Sequence, residues 1–254
     1  MDYVICIPSY KRANLCKDKT LSTLMEHNIP KSKIYVFVAN QKEYADYEKV
    51  IEHKLIVGKK GLVQQREFIS NYFKTGQRIV FFDDDVEKID LSLSPLFKNK
   101  SLDYFLKYAF KECKKRQSFI WGVYPVFNPF FREPRPEITD NLNYIVGAFY
   151  GIINRPDLKE LKLVITKKNG QKEDVERTLK YFIYDGIVLR FNKIGFVTKY
   201  YGKHGGLGTF ETRLKPMLLA SQKLQKKYPQ YGTIVTRKTG MTEFKLRKTA
   251  KLTI

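Results

Sequence analysis

The chain has 254 residues, 43% hydrophobic and 14% aromatic, enough for one domain with a substantial core and too apolar for a disordered chain. Lys and Arg number 47 against 26 Asp and Glu, a formal net charge of +21, so its natural partners are polyanions. No apolar run approaches the roughly 18 residues of a membrane helix, Asp2 and Lys11-Arg12 interrupt any N-terminal leader, and three scattered cysteines (Cys6, Cys16, Cys113) exclude a disulfide scaffold. The expectation is a cytoplasmic protein with no membrane partner.

In chain order, residues 3–7 read as a short apolar strand ended by Pro8-Ser9, and residues 15–27 as a helix with Leu21, Leu24 and Met25 on one face. A strand over 33–39, a helix over 41–50 and a strand over 53–57 follow. Gly58-Lys59-Lys60-Gly61 forms a turn into a helix over 62–73, for which Gly76 is the terminator. Residues 78–82 are apolar apart from Arg78 and predict a central strand. Strand–helix alternation at this spacing implies an α/β fold, a mostly parallel central sheet flanked by helices. In such sheets ligands sit beyond the carboxyl ends of the strands.

The middle changes character. Residues 103–116 read as a helix, and 118–127 and 144–154 are aromatic and β-like. The proline-rich stretch 128–136 between them reads as a loop, because proline cannot continue a ladder. Leu163, Ile165 and Gly170 suggest a hairpin about Asn169-Gly170, followed by a helix over 173–182, strands over 187–191 and 195–201, and a basic helix over 211–228. Residues 213–254 carry eleven basic residues against one acid, Glu243. This basic extension favours a nucleic-acid surface over mere solubility. With no repeat or linker in sight, residues 1–210 form the main domain and 211–254 a basic helix and tail belonging to the same unit.

Asp83-Asp84-Asp85 follows the fourth strand directly. Three adjacent carboxylates at the end of a buried strand repel one another unless something positive sits there. A hard divalent cation, Mg²⁺ or Mn²⁺, is the natural partner. A solvated acidic turn is the plainer alternative.

Ile7-Pro8-Ser9-Tyr10-Lys11-Arg12, the alternating first half and the strand running into Asp83-Asp84-Asp85 together resemble a GT-A glycosyltransferase. The resemblance covers roughly residues 2–210. It implies a DxD element that binds a divalent metal and a nucleotide-sugar diphosphate, with UDP-sugar the foremost donor. Asp83 and Asp84 would then lie against the donor and Asp85 would ligate Mn²⁺ or Mg²⁺. Arg66, in Gly58–Arg66, would approach the nucleotide, and Pro8, Tyr10 and Arg12 would border its base. Lys172-Glu173-Asp174 resembles the ED motif, making Asp174 the acceptor base; the plainer reading is a carboxylate complementing a helix N-terminus, with Asp185 the alternative base. His204, before a glycine-rich loop, would be a second metal ligand or a loop histidine bonded to backbone, and Lys203 would assist Arg66. Trp121 reads as core packing ahead of base or sugar stacking.

The later run, including Leu189–Tyr201 and His204-Gly205-Gly206-Leu207-Gly208, is similar to the TET-associated and phage DNA-base glycosyltransferases. That likeness implies double-stranded DNA carrying a modified pyrimidine as partner and acceptor. Three alternatives stay open: the same fold acting on a glycan or protein acceptor, a nucleic-acid-binding module with an inactive transferase fold, and a nucleotidyltransferase using the same carboxylates.

Overall fold

The computed structural model of the protein describes residues 2–168, 170–198 and 208–251. The first half follows the predicted alternation: β1 (Val4–Pro8), α1 (Ala13–Cys16), a π-helical turn (Lys17–Leu21) and α2 (Ser22–Glu26), then β2 (Ile34–Val38), α3 (Gln41–Tyr47), β3 (Lys54–Val57), α4 (Leu62–Tyr72) and β4 (Arg78–Phe82). Asn40 caps α3, its side chain accepting from the Glu43 N–H. After the Asp83–Asp85 turn come β5 (Val86–Asp90) and α5 (Leu102–Arg116), capped by Ser101. Next are β6 (Ile120–Val123), a single helical turn α6 (Pro129–Arg132), β7 (Ile138–Thr139) and β8 (Phe149–Ile153). The chain continues with α7 (Glu173–Asp185), β9 (Leu189–Phe191), β10 (Gly195–Thr198), α8 (Phe210–Lys227), β11 (Gly232–Thr236) and β12 (Thr242–Leu246).

Eight strands form one sheet in the order β3-β2-β1-β4-β8-β6-β9-β7. The β3-β2-β1-β4 side is parallel throughout. β8 runs antiparallel between β4 and β6, and β9 is parallel to β6. Side chains alternate across the sheet as the pleat requires: Ile5, Ile7, Val80 and Phe82 enter one core with α2 and α5, while Cys6, Ile79 and Phe81 enter the other with α4 and α7. Trp121 is fully buried in the first core, edge-on to Phe105, Phe110 and Phe149, which settles it as packing.

Three differences from the predicted elements have clear causes. The first helix is not uniform: its π turn carries Thr20 inward, where Oγ1 donates to the Asp83 carbonyl at 2.7 Å and accepts from the Val86 N–H at 2.9 Å. No strand forms at residues 163–165, and Asn169 lies outside the described residues. There the N–H groups of Val164, Ile165 and Thr166 turn to the buried Glu176 carboxylate, each at 2.9 Å, and a ladder cannot use them as well. The basic C-terminal stretch beyond α8 is a hairpin, β11–β12, rather than a tail. Leu224, Tyr228, Tyr231 and Phe244 share one core with Val175, Leu179 and Phe182, which joins that segment to α7. Among the described residues no helix is long and apolar enough to cross a membrane.

Candidate active site

A cleft of about 620 Å³ opens at the carboxyl ends of β1 and β4, where the sheet order reverses direction at β8. It brings together Pro8, Tyr10, Arg12, Arg66, Asp83, Asp84, Asp85 and Asp174 from the sequence reading. His204 and Lys203 lie outside the described residues. The lining also includes the Lys59–Leu62 turn, Gly147, Thr198 and, from the C-terminal segment, Arg213, Met217, Arg237 and Met241.

The three aspartates have three different environments. Asp84 is fully buried: Arg12 Nη2 lies 2.5 Å from Oδ1, and Ser9 Oγ donates to Oδ2 at 2.5 Å. Tyr47 extends this network, its hydroxyl 2.7 Å from Ser9 Oγ and accepting from the Arg12 N–H at 3.0 Å. Asp85 accepts from Arg12 Nη1 at 3.2 Å and from the Thr198 hydroxyl on β10. Asp83 accepts from Arg66 Nη2 at 2.9 Å. Arg12 therefore sits beneath the acidic turn as its counter-ion, in addition to lining the cleft.

Even with two guanidiniums present, the crowding shows in the acidities. Burial pushes the Asp83 carboxyl up to about 7, with Asp85 and Asp84 adding to it against the pull of Arg66. Burial likewise pushes Asp84 up to about 6, opposed by Arg12 and Ser9. Surplus negative charge on hard oxygen donors fits a divalent cation at Asp83 and Asp85. Mg²⁺-type sites use one or two carboxylates, with water and substrate phosphates as the remaining ligands. Among the described residues no three His, Cys, Asp or Glu side chains converge on one point.

The opposite wall is the start of α7. Glu173 is buried between Arg66, which donates to Oε1, and Arg177, which donates to Oε2 at 2.6 Å. Arg66 also donates to the Gly147 carbonyl at 2.8 Å, and a Cβ at Gly147 would lie 2.9 Å from Glu173 Oε1 and 3.1 Å from Arg66 Nη1. Gly147 is the residue that lets this ion pair pack against the backbone. Asp174, next in the chain, is half-buried and faces the cleft. Its Oδ2 accepts from the Tyr144 hydroxyl, and its Oδ1 from the Val175 N–H at 2.9 Å. Asp185, the alternative base, is bound to Arg155 at 2.7 and 2.6 Å and is not among the residues lining the cleft.

Cations gather at the cleft mouth. Lys172 takes the left-handed conformation (φ 61°), and burial, with Arg213 and Arg237 nearby, holds its ammonium pKa below the usual lysine value against the pull of Asp174 and Glu243. Arg213 donates to Gln171 at 3.1 Å, and Arg237 pairs with Glu243 at 3.0 Å. Gly61 enters α4 at φ 99°, a left-handed value that glycine takes freely, and the Lys59 N–H is held by Gln65 Oε1 at 2.7 Å.

Sequence reasoning missed Thr20, Tyr47, Tyr144, Thr198 and the structural role of Glu173. Two threonines three apart on the first helix, Thr20 and Thr23, are the one signal that pointed to an inward polar face; Thr20 bonds the turn after β4 and Thr23 the first residue of β5.

This half-parallel sheet with its acidic cleft is a GT-A fold. Residues 1–349 of Staphylococcus aureus TarS match with a TM-score of 0.51 at 14% identity, covering 89% of this chain and 66% of that one. TarS in complex with UDP-GlcNAc matches at 0.50 and 15%, covering 89% and 67%. GalNAc-T7 with UDP, GalNAc and Mn²⁺ matches at 0.52 and 11%, covering 90% and 49%. The chain thus spans about two thirds of the TarS fragment and half of GalNAc-T7, and at these identities the likeness is one of fold. The sequence matches no protein-family model and no curated protein.

Proposed function

We propose that this protein is a metal-dependent glycosyltransferase that moves a sugar from a nucleotide-sugar donor, foremost a UDP-sugar, to a hydroxyl of a modified pyrimidine in DNA. The observation that carries the transferase reading is one cleft with Asp83 and Asp85 on one wall and the half-exposed Asp174 on the other. Asp83 and Asp85 would hold Mn²⁺ or Mg²⁺, which as a Lewis acid offsets charge growing on the departing diphosphate. Pro8 and Tyr10 border the nucleotide. Arg66 is the cation nearest the diphosphate, set in place by Glu173, Asp83 and the Gly147 carbonyl.

Asp174 takes the proton of the acceptor hydroxyl. As it does, the acceptor oxygen bonds to the anomeric carbon, and the bond from that carbon to the diphosphate oxygen breaks. The nucleoside diphosphate leaves with the electron pair, and a single displacement inverts the anomeric centre. Tyr144 orients Asp174, and holding both substrates in line supplies much of the acceleration.

Two features favour DNA as the acceptor-bearing partner. The net charge of +21 includes the basic segment whose Arg213 and Arg237 reach the cleft mouth. Beyond Pro125 and Val126 of the cleft wall, Phe130 and Phe131 stand 74% and 46% exposed as an edge-to-face pair. The buried Arg132 beneath them donates to Asp90 at 2.5 Å and to the Lys193 carbonyl at 2.8 Å. Rigidly mounted exposed aromatics are stacking platforms for unpaired bases, and reaching a base hydroxyl in a duplex calls for extruding the nucleotide.

The test is mass spectrometry of nucleosides from duplexes containing cytosine, 5-hydroxymethylcytosine or 5-hydroxymethyluracil, each incubated with the protein, Mn²⁺ and a panel of nucleotide sugars. A hexose or pentose mass on one modified base is the expected result. Metal-dependent donor hydrolysis without base modification would retain the transferase and refute the DNA acceptor. Neither product would refute both.

A further inference from the structure

Among the described residues the buried arginines are Arg66, Arg132, Arg177 and Arg190. The first three each have a carboxylate partner: Asp83 and Glu173 for Arg66, Asp90 for Arg132 and Glu173 for Arg177. Arg190, on β9 and only 5% exposed, has none among the described residues. Its Nε donates to Asn192 Oδ1 at 2.8 Å and its Nη1 to the Tyr144 carbonyl at 3.4 Å. Nη2 has no partner among the described residues and, unlike Nε of the other three, is not closed off from solvent. A guanidinium cannot lose its proton, so burying one without a counter-charge is costly.

The surroundings add positive charge rather than offset it. Arg135 and Arg190 share one aromatic ring, their Cζ atoms 4.8 and 5.0 Å from the centroid of Tyr124. Burial pushes the Arg190 guanidinium down to about 10, and Arg135 adds to this against the pull of Tyr124. Burial, with Arg135, Arg190 and Lys245, likewise holds the Lys248 ammonium below the usual lysine value. No carboxylate is among the described groups that shift either one. Asp140, beside the Thr139 that pairs with Arg190 in the sheet, is bound to Arg116 at 2.9 Å, and Glu137 accepts from Ser94.

We propose that Arg190, Arg135 and Lys248 hold a backbone phosphate of a DNA strand, that of the nucleotide whose base stacks on Phe130 and Phe131; this rests on the DNA partner in the function proposed above. A phosphodiester presents two unbridged oxygens that accept from more than one donor at once, which suits guanidiniums. Three cations from three parts of the chain are more than one carboxylate needs. The exposed Lys245 and Arg247 continue the positive charge along the C-terminal segment, as successive phosphates require. The phosphate site and the aromatic pair are built on one segment, since Arg135 Nε donates to the Phe131 carbonyl at 2.9 Å. Cations that track the backbone beside rings that stack the bases are how proteins grip a single strand. Tyr144 ties the cluster to the cleft: its carbonyl meets Arg190 and its hydroxyl meets Asp174.

Fluorescence anisotropy of the full chain with labelled oligothymidylate, without donor or metal and across a salt series, tests the site. Arg135→Ala combined with Lys248→Ala is expected to weaken binding and to flatten the logarithmic salt slope by about 1 per cation removed. Arg190→Gln is expected to weaken binding while its unfolding midpoint stays at or above that of the wild type, because the charge removed has no carboxylate to strand. The outer pair keeps the test valid if Arg190→Gln destabilises the fold. Lys42→Ala combined with Lys49→Ala removes the same charge near β3, at the opposite edge of the sheet, and should leave the slope unchanged. Polyglutamate of equal charge should compete poorly. An unchanged slope in the Arg135 and Lys248 variant, an equal loss in the Lys42 and Lys49 variant, or equal competition by polyglutamate overturns the site. None of these readouts requires glycosyl transfer. Binding lost in the variants with no base glycosylated leaves the site standing without the proposed reaction, and glycosylation with undiminished binding in the variants removes the site alone.

Discussion

The cleft has two acidic walls, and the same residue types do different work on each. At the end of β4, three aspartates share two guanidiniums, and burial, with the neighbouring carboxylates adding to it, pushes the Asp83 and Asp84 carboxyls up to about 7 and about 6. At the start of α7, Glu173 lies between Arg66, which it shares with Asp83, and Arg177, while its neighbour Asp174 accepts from a tyrosine hydroxyl and its own helix N–H. In the function proposed above, the first wall attracts a cation, and the second holds one carboxylate rigid while the next accepts a proton. Adjacent acids in a sequence are thus separated into roles by the side chains that reach them from elsewhere in the chain.

The contrast on the second wall is the sharpest to test. Asp174→Asn is expected to lower kcat by roughly 10²–10⁴-fold, with donor KM and unfolding midpoint unchanged, as measured by steady-state transfer kinetics and thermal melts. Glu173→Gln should behave in the opposite way, costing about 3–5 kcal/mol of stability by leaving two buried guanidiniums undercompensated. Urea unfolding reads that loss. If Glu173→Gln is as stable as wild type, or Asp174→Asn as active, the division of labour proposed for that wall is wrong.

On the first wall, Asp85→Asn should reduce transfer by about 10²–10³-fold, the usual cost of one charge-stabilising group, and abolish the response to added Mn²⁺. Asp84→Asn is the informative partner: it should weaken folding through Arg12 and Ser9 while retaining the Mn²⁺ response. A smaller effect is expected at the rim. Replacing Phe130 and Phe131 with alanine should weaken binding to modified duplex by about 1–3 kcal/mol per stacked base, measured by fluorescence anisotropy at fixed salt. Donor hydrolysis should not change.

Much of the first half was legible because its determinants are local. The alternation of periods two and 3.6 from Tyr3 to Phe82 matches β1 through β4 to within a few residues, and Gly61 and Gly76 take the positive φ values their positions demand. The acidic turn was legible too, since three carboxylates after an apolar strand are unusual in any context. The π turn at Lys17–Leu21 was not, because it depends on what Thr20 meets sixty-three residues away at Asp83. The missing hairpin at 163–165 has the same origin: Glu176 claims the N–H groups that a ladder would use.

By itself, then, the sequence determined the α/β class, the place of the acidic turn at a sheet edge and the strongly basic character of the C-terminal segment. These follow from side-chain periodicity and composition, which act over a few residues. Only the tertiary structure decided that Asp84 is a buried partner of Arg12, that Glu173 is held between two arginines while Asp174 is held by a tyrosine hydroxyl, and that Arg213 and Arg237 return to the cleft. Each depends on a charge or hydrogen bond supplied from a distant part of the chain, and local pattern carries no information about which distant side chain arrives.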